Sequence, residues 1–232
     1  MTSVAIITAR GGSKRIPKKN IKDFLGFPII KYSIDAAINS GCFSEIMVST
    51  DDREIAEIAL KYGAQVPFMR SAETANDYSV TADVINEVLN TYINLGKNFE
   101  YACCIYPTAP LIDYRKIQEG YEVIKRCGAS TLISVVKFGY PIQRGLKIEK
   151  DRLQMIWPEN MNAHSQDLMP AYHDVGQFYW VCAELFLKDK KLFTDNTALI
   201  EIPESEVQDI DNEEDWKIAE VKYRILKGKG IY

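Results

Sequence analysis

Short apolar runs alternate with amphipathic stretches along most of the chain. Residues 3–9 (Ser-Val-Ala-Ile-Ile-Thr-Ala) form an apolar run of the length expected for a buried strand. Residues 28–38 carry apolar positions at helical spacing, with Pro28 at the start and Gly41 beyond the end, the usual asymmetry of a helix. Residues 45–50 predict a second strand. Asp51, with Glu54 three residues on, predicts a capped helix that runs to Tyr62 and stops at Gly63. Residues 65–68 read as a short extended piece. Strand, helix, strand, helix, strand is the order of a parallel sheet with right-handed crossovers.

Residues 70–78 are polar and predict a loop, after which Ser79 is placed to cap a helix through Val80, Val84, Ile85, Val88 and Leu89. Residues 101–106 predict another buried strand, and Pro107 and Pro110 force a turn at its end. A helix from Asp113 to residue 126 and a strand at 129–136 follow. Residues 137–175 break this rhythm. They hold Tyr140, Pro141, Trp157, Pro158, His164, Pro170, Tyr172 and His173 without a helical period. An excursion of this length in a compact domain is usually a lid or an interface. Strand patterns return at 177–182 and 197–202. A polar cluster closes the stretch 207–211, and 212–226 predict a final helix with acidic residues in its first turn, where they complement the helix dipole. The tail at 227–230 is expected to fray. The pattern as a whole predicts one α/β domain over 1–232 with a mostly parallel sheet.

Composition narrows the function. Apolar residues make up 47% and charged residues 26% of the chain, and the net charge is −4. A protein acidic overall is a poor nucleic-acid binder. No segment approaches the roughly 18 apolar residues of a membrane helix. Met1 leads straight into the first apolar run, so a cytoplasmic protein is expected. The five cysteines, Cys42, Cys103, Cys104, Cys127 and Cys182, include no C-x-x-C pair and predict buried free thiols. The two histidines, His164 and His173, have no metal-ligand spacing with a cysteine, which argues against zinc.

Against that acidic background, residues 9–20 (Ala-Arg-Gly-Gly-Ser-Lys-Arg-Ile-Pro-Lys-Lys-Asn) stand out. Arg10, Lys14, Arg15, Lys18 and Lys19 crowd around the paired glycines Gly11 and Gly12, immediately after a strand. Paired glycines allow a sharp turn that presents consecutive N–H groups to an anion. A polyphosphate site is favoured over a solvated basic loop. The spacing matches neither a Walker loop nor a dinucleotide fingerprint. Near the other end, Asp209 and Asp211 flank Ile210. In an extended segment both carboxylates face one side, as a pair for Mg2+; the alternative is that Asp211 and Asn212 cap the helix that follows. Arg70 follows a short strand and is placed for a phosphate or for solvent. Ser79, Thr81 and Asp83 read as cap residues or nucleotide contacts. Gln143, Arg144, Ser165, Gln166, Asp167, His173, Gln177 and Tyr179 supply polar groups among Trp157, Tyr172, Phe178 and Trp180, as in a small-ligand pocket or a subunit contact.

Residues 7–28, opening Ile-Thr-Ala-Arg-Gly-Gly-Ser-Lys-Arg-Ile-Pro-Lys-Lys-Asn, resemble the signature of the cytidylyltransferases that activate sialic-acid-like sugars. Val-Ser-Thr-Asp-Asp at 48–52, Tyr-Pro-Thr-Ala-Pro at 106–110 and Asp-Ile-Asp-Asn-Glu-Glu-Asp-Trp at 209–216 extend the likeness to both ends of the chain. Residues 140–144 and 165–180 resemble the branch acting on pseudaminic acid. The resemblance implies a Rossmann-like three-layer α/β/α fold, CTP and Mg2+ as ligand and cofactor, and pseudaminic acid or a related nonulosonic acid as the sugar. It implies a homodimer, with 137–175 as an inserted dimerisation arm. It assigns Ala9, Arg10, Gly11, Gly12, Ser13, Lys14, Lys19, Asn20, Arg70, Ser79 and Thr81 to the nucleotide. Asp209 and Asp211 go to the metal, and Arg10, Lys19 and both aspartates to catalysis. Tyr106 stands where sialate synthetases have a glutamine, which speaks against N-acetylneuraminate. Tyr106, Gln143, Arg144, Gln166, Tyr172, His173, Gln177 and Tyr179 are the expected sugar residues. Tyr172, Phe178 and Trp180 would wall the sugar's apolar end. A synthetase for N-acetylneuraminic or legionaminic acid, and a non-catalytic nucleotide-binding module, are the competing expectations.

Overall fold

The computed structural model describes residues 2–228. The chain begins with β1 (Ser3–Thr8), then the basic loop, a small hairpin of β2 (Asp23–Phe24) and β3 (Phe27–Pro28), α1 (Ile30–Ser40), β4 (Glu45–Ser49) and α2 (Arg53–Lys61). A short α3 (Ala72–Ala75) precedes α4 (Thr81–Asn94), β5 (Tyr101–Ile105), α5 (Tyr114–Cys127) and β6 (Thr131–Lys137). A second hairpin, β7 (Leu146–Glu149) and β8 (Arg152–Met155), interrupts the chain before the long β9 (Tyr172–Cys182). The chain then runs through α6 (Ala183–Asp189), β10 (Thr197–Glu201) and α7 (Glu213–Gly228).

Six strands form one sheet in the order β10-β6-β9-β5-β1-β4. All its pairings are parallel except those of β9, which runs antiparallel to both β5 and β6. Alternation along β1 divides the core. Ala5 and Ile7 join the face covered by α1, α2 and α5, while Val4 and Ile6 join the face under α4 and α6. The result is the three-layer α/β/α arrangement expected. A third apolar cluster lies beyond the sheet edge. There Phe24 packs edge-on against Tyr32, Trp216 and Tyr223, and Ile16 and Ile210 are buried beside them.

Several local expectations change. Pro28 belongs to β3, and α1 starts only at Ile30. Asp52, not Asp51, caps α2, accepting from the Glu54 and Ile55 amides. Residues 65–68 make only an isolated bridge, Met47 to Gln65, on the outer edge of β4. Ser79 does not cap α4. Its hydroxyl donates to the Glu73 carbonyl, and the Asp83 carboxylate accepts from the Val80 amide instead. The irregular stretch is shorter than 137–175, since Lys137 ends β6 and pairs with Tyr172 at the start of β9. Lys227 and Gly228 complete α7 rather than fray, while 229–230 lie outside the described residues. Cys103 and Cys104 are buried as expected, but Cys127 is exposed at the end of α5.

Candidate active site

The basic loop leaves the C-terminal end of β1, the edge at which parallel α/β sheets gather ligand-binding loops. Gly11 is closely approached by a neighbouring element, whereas a Cβ on Gly12 would meet nothing. A Cβ on Gly11 would stand 2.8 Å from Oδ2 of Asp52, the residue that caps α2, so a side chain there would press on the cap. The Gly11 amide donates to Asp51 Oδ1 at 2.9 Å, so it is already engaged within the fold. Asn20 is buried and its amide donates to the Arg10 carbonyl, closing the loop on itself.

Arg10, Ser13, Lys14, Arg15, Lys19 and Asn20 line a cavity of about 430 Å³. Arg70, Ser79 and Thr81 line it from the other side, with Thr8, Asp77, Tyr106 and Thr108. Nine of the residues expected at the nucleotide or the sugar therefore meet in one space, although 9–20, 70–81 and 106 are far apart in sequence. Ala9, Gly11 and Gly12 do not line it; Ala9 is buried and Gly12 is exposed. Arg70 is buried, and its Nε and Nη2 bond Ser49 at 3.0 and 2.7 Å. Burial pulls its pKa down from the ordinary arginine value, with the carboxylate of Asp51 opposing.

The loop's cations are already met by acids. Asp77 accepts from Arg10 at 2.7 Å and is ion-paired to Lys14. These two cations hold the Asp77 carboxyl below its usual range, Lys14 contributing more. Lys18 pairs with Glu54 at 2.5 Å. Arg15 pairs with Asp211 at 2.7 Å, and Lys19 lies 3.9 Å from the same carboxylate while donating to the Ile210 carbonyl. Burial lowers the Lys19 pKa, against the pull of Asp211 and Asp209.

Ile210 is fully buried against Ile16 and Trp216, which clamps the Asp209–Asp211 segment onto the basic loop. Both carboxylates line a second cavity of about 510 Å³ with Lys137, His173, Glu204 and Asp215. Burial, followed by the charge of Asp211, raises the Asp209 pKa above its ordinary value. The helix-cap alternative falls away for these two side chains. Asn212 caps α7, accepting from the Glu214 and Asp215 amides, and the Asp211 carboxylate is left to Arg15 and Lys19.

The expected sugar residues are scattered. Tyr106 lines the first cavity and His173 the second. Gln143, Arg144 and Gln166 lie in the 138–171 insertion and line neither. Gln143 donates to the Met169 carbonyl while its buried Oε1 has no partner. Arg144 reaches Ser165 Oγ at 3.4 Å and lies over the Tyr140 ring. Tyr172 is exposed. Gln177 is buried and donates to the Glu206 carbonyl. Tyr179 is buried against Tyr106. Phe178 and Trp180 are not pocket walls. Both are fully buried, and Trp180 stacks on Phe43 and Tyr121 and donates to the Ile117 carbonyl. Sequence reasoning missed Asp77 as a site residue. The acid of Asp77 amid a polar stretch was the available signal, but its partners lie more than sixty residues away.

Residues 4–151 match the family model described as cytidylyltransferase. The chain belongs to the cytidylyltransferase family. Similarity extends beyond that segment. A pseudaminic acid cytidylyltransferase of Campylobacter jejuni is 38% identical over 226 residues, covering 97% of both chains. The CMP-N,N'-diacetyllegionaminic acid synthase of Legionella pneumophila is 30% identical, covering 95% of each. Among solved structures, a CMP-2-keto-3-deoxy-manno-octonic acid synthetase in complex with CTP superposes with a TM-score of 0.71 at 16% identity, over 98% of this chain and 100% of the other. That last likeness is one of fold. This cytidylyltransferase is thus a nucleotidyltransferase with a Rossmann-like sheet. Among its described residues no helix is long and apolar enough to cross a membrane.

Proposed function

We propose that this cytidylyltransferase joins CTP to pseudaminic acid, forming CMP-pseudaminic acid and pyrophosphate. The observation that carries the reading is the meeting of two chain ends. Loop cations Arg10, Lys14 and Lys19 share one cavity with Arg70, and the Asp209–Asp211 pair borders it through Arg15 and Lys19. The choice of sugar rests on the Campylobacter jejuni relative, whose similarity runs through the insertion as well as the nucleotide loops.

In this reading the anomeric hydroxyl of the sugar attacks the α-phosphorus of CTP and pyrophosphate leaves. The protein contributes positioning and charge stabilisation, as in phosphoryl transfer generally. Arg10, Lys14 and Lys19 hold the phosphates and meet the charge that develops on them. Arg70, anchored to Ser49, fixes the opposite wall, with Ser79 and Thr81 beside the nucleoside. Asp209 and Asp211 would hold Mg2+, which when bound neutralises phosphate charge and acidifies a coordinated hydroxyl. The pair fits that role. Burial, and after it the charge of Asp211, raises the Asp209 pKa, Asp211 is not spent on capping, and two carboxylates leave room for the water and phosphate oxygens that Mg2+ retains. Among the described residues no larger set of His, Cys, Asp and Glu gathers for a metal.

The chain works as one nucleotidyltransferase domain, and the insertion meets a second copy of it. Tyr140, Ile148, Leu153, Met161 and Met169 are each more than half exposed there. Apolar side chains clustered in this way mark an interaction surface.

The test is a sugar panel. The protein is incubated with CTP, Mg2+ and free pseudaminic, legionaminic or N-acetylneuraminic acid, and pyrophosphate is followed. Pseudaminic acid is expected to turn over fastest. Equal or faster turnover of N-acetylneuraminic acid overturns the assignment. Faster turnover of legionaminic acid supports the second reading, to which the Legionella pneumophila relative points. CTP binding without product from any sugar leaves a nucleotide-binding module.

A further inference from the structure

The nucleotide cavity and the cavity beside the aspartate pair meet at one ion pair. Arg15 lines the first and Asp211 the second, and Arg15 Nη1 lies 2.7 Å from Asp211 Oδ2. At that length the contact is a charge-assisted hydrogen bond. It joins the place assigned to the phosphates with the place assigned to the metal. Lys19 stands by the other oxygen, 3.9 Å from Asp211 Oδ1.

The two cations differ in freedom. The Lys19 side chain is mostly buried and is tied to the Ile210 carbonyl at 2.5 Å. The Arg15 side chain is 70% exposed. Its backbone, in contrast, is anchored, because the next residue, Ile16, is buried with Ile210 and Trp216. Arg15 can therefore exchange partners by rotating its side chain while the loop and the aspartate segment stay in place. That segment is braced independently, since the Asp215 carboxylate accepts from the Asp211 and Asn212 amides. With Arg15 on Asp211, the guanidinium covers a carboxylate oxygen and sets a positive charge where a divalent cation would approach. A triphosphate entering the nucleotide cavity offers the same guanidinium a multiply charged anion that suits its fork of donors.

We infer that Arg15 is a counter-charge gate that couples the metal to the nucleotide. It holds Asp211 while CTP is absent and turns to the phosphates when CTP enters, which frees the carboxylate for a divalent cation. Each ligand then raises the affinity of the other by the same factor. The guanidinium keeps its charge throughout the working pH range, so the exchange is driven by ligand charge and not by protonation. The inference rests on the assignment of the cavity to CTP and of Asp209 and Asp211 to Mg2+, but not on the identity of the sugar.

The test uses Mn2+, whose free ion is counted by its electron paramagnetic resonance signal. It compares wild type, Arg15→Gln, and Arg15→Gln combined with Asp209→Asn and Asp211→Asn. Without CTP, Arg15→Gln is expected to bind Mn2+ about fivefold more tightly than wild type, the scale of one exposed ion pair. Metal-free CTP, titrated by calorimetry in EDTA, is expected to bind Arg15→Gln about fivefold more weakly than wild type, on the same scale. The opposite signs mark an exchange, because a merely structural ion pair does not tighten one ligand and loosen the other. Unchanged or weaker Mn2+ binding in Arg15→Gln overturns the gate, and so does metal-free CTP binding that is unchanged or tighter. The triple variant separates the failures. If it loses Mn2+ while Arg15→Gln alone has no effect, the gate is overturned and the metal assignment stands. If it binds Mn2+ as well as Arg15→Gln does, the metal assignment is overturned and the gate with it.

Discussion

The nucleotide cavity and the 138–171 insertion place charge and apolar surface in opposite ways. Around the cavity, the apolar side chains are hidden beneath the site. Ile16, Ile210 and Trp216 are buried, and the groups left at the surface are cations matched to acids, Arg10 and Lys14 to Asp77 and Arg15 to Asp211. In the insertion the relation is reversed. Every residue of β7 is exposed, Ile148 and Leu153 stand out to solvent, and the hairpin has no core of its own. An isolated two-stranded hairpin is marginal in water, so this one depends on what it lies against. The contrast teaches which region is self-sufficient. The cavity is lined by residues of one chain, whereas the insertion leaves its apolar side chains uncovered.

The strongest challenge to this contrast is chemical. Replacing both Asp209 and Asp211 by Asn is expected to abolish Mg2+-dependent pyrophosphate release, beyond about 10³-fold, with the circular dichroism spectrum unchanged. Retained activity would reduce the pair to partners of Arg15 and Lys19. Next comes a stability comparison. Trp180→Ala empties a fully buried site and is expected to cost roughly 3–5 kcal/mol in urea denaturation. Leu153→Asp on the exposed hairpin is expected to change the stability of the single chain by less than about 0.5 kcal/mol. A large loss at Leu153 would mean that the insertion is part of the folding unit.

A third measurement addresses assembly. Ile148→Asp with Leu153→Asp is expected to halve the mass seen by sedimentation and leave CTP affinity within about twofold, because a buried interface tolerates unpaired carboxylates poorly. A wild type that sediments as one chain would refute the dimer. The smallest effect is expected at Asp77, whose carboxylate occupies the position between Arg10 and Lys14 where a phosphate would go. Asp77→Asn is expected to tighten CTP binding only about two- to fivefold by calorimetry, since exposed ion pairs are weak. The stability from these pairs is present above the ordinary carboxylate pKa and is lost as pH falls through the depressed value of Asp77.

Much of the sheet is legible in the amino-acid sequence. β1, β4, β5 and β6 appear where apolar runs predict them, because strands covered on both faces need apolar side chains on both; β10 also appears where predicted, as a largely exposed edge strand. The family signature also selects the loop residues that line the cavity. Legibility fails where partners are remote. Nothing local reveals that Asp52 and not Asp51 caps α2, since the choice follows from Asp51 being drawn to the Gly11 amide forty residues away. Phe178 and Trp180 look like ligand-stacking aromatics in a string with Tyr172 and Tyr179. Only the pairing of β9 between β5 and β6 reveals which side chains enter the core under α5.

The amino-acid sequence by itself determined the α/β architecture, the basic loop after the first strand and the membership of a cytidylyltransferase family. These follow from periodicity and from short contiguous motifs, which are properties of neighbouring residues. Tertiary structure alone decided that 10–20, 70–81 and 106 enclose one cavity, that Asp211 meets Arg15 and Lys19, and that Tyr179 packs against Tyr106 while bonding Asp174. These contacts join residues up to nearly two hundred positions apart. They exist because burial of Ile210, Ile16 and the β9 face brings distant segments together, and burial depends on what each side chain meets across the fold.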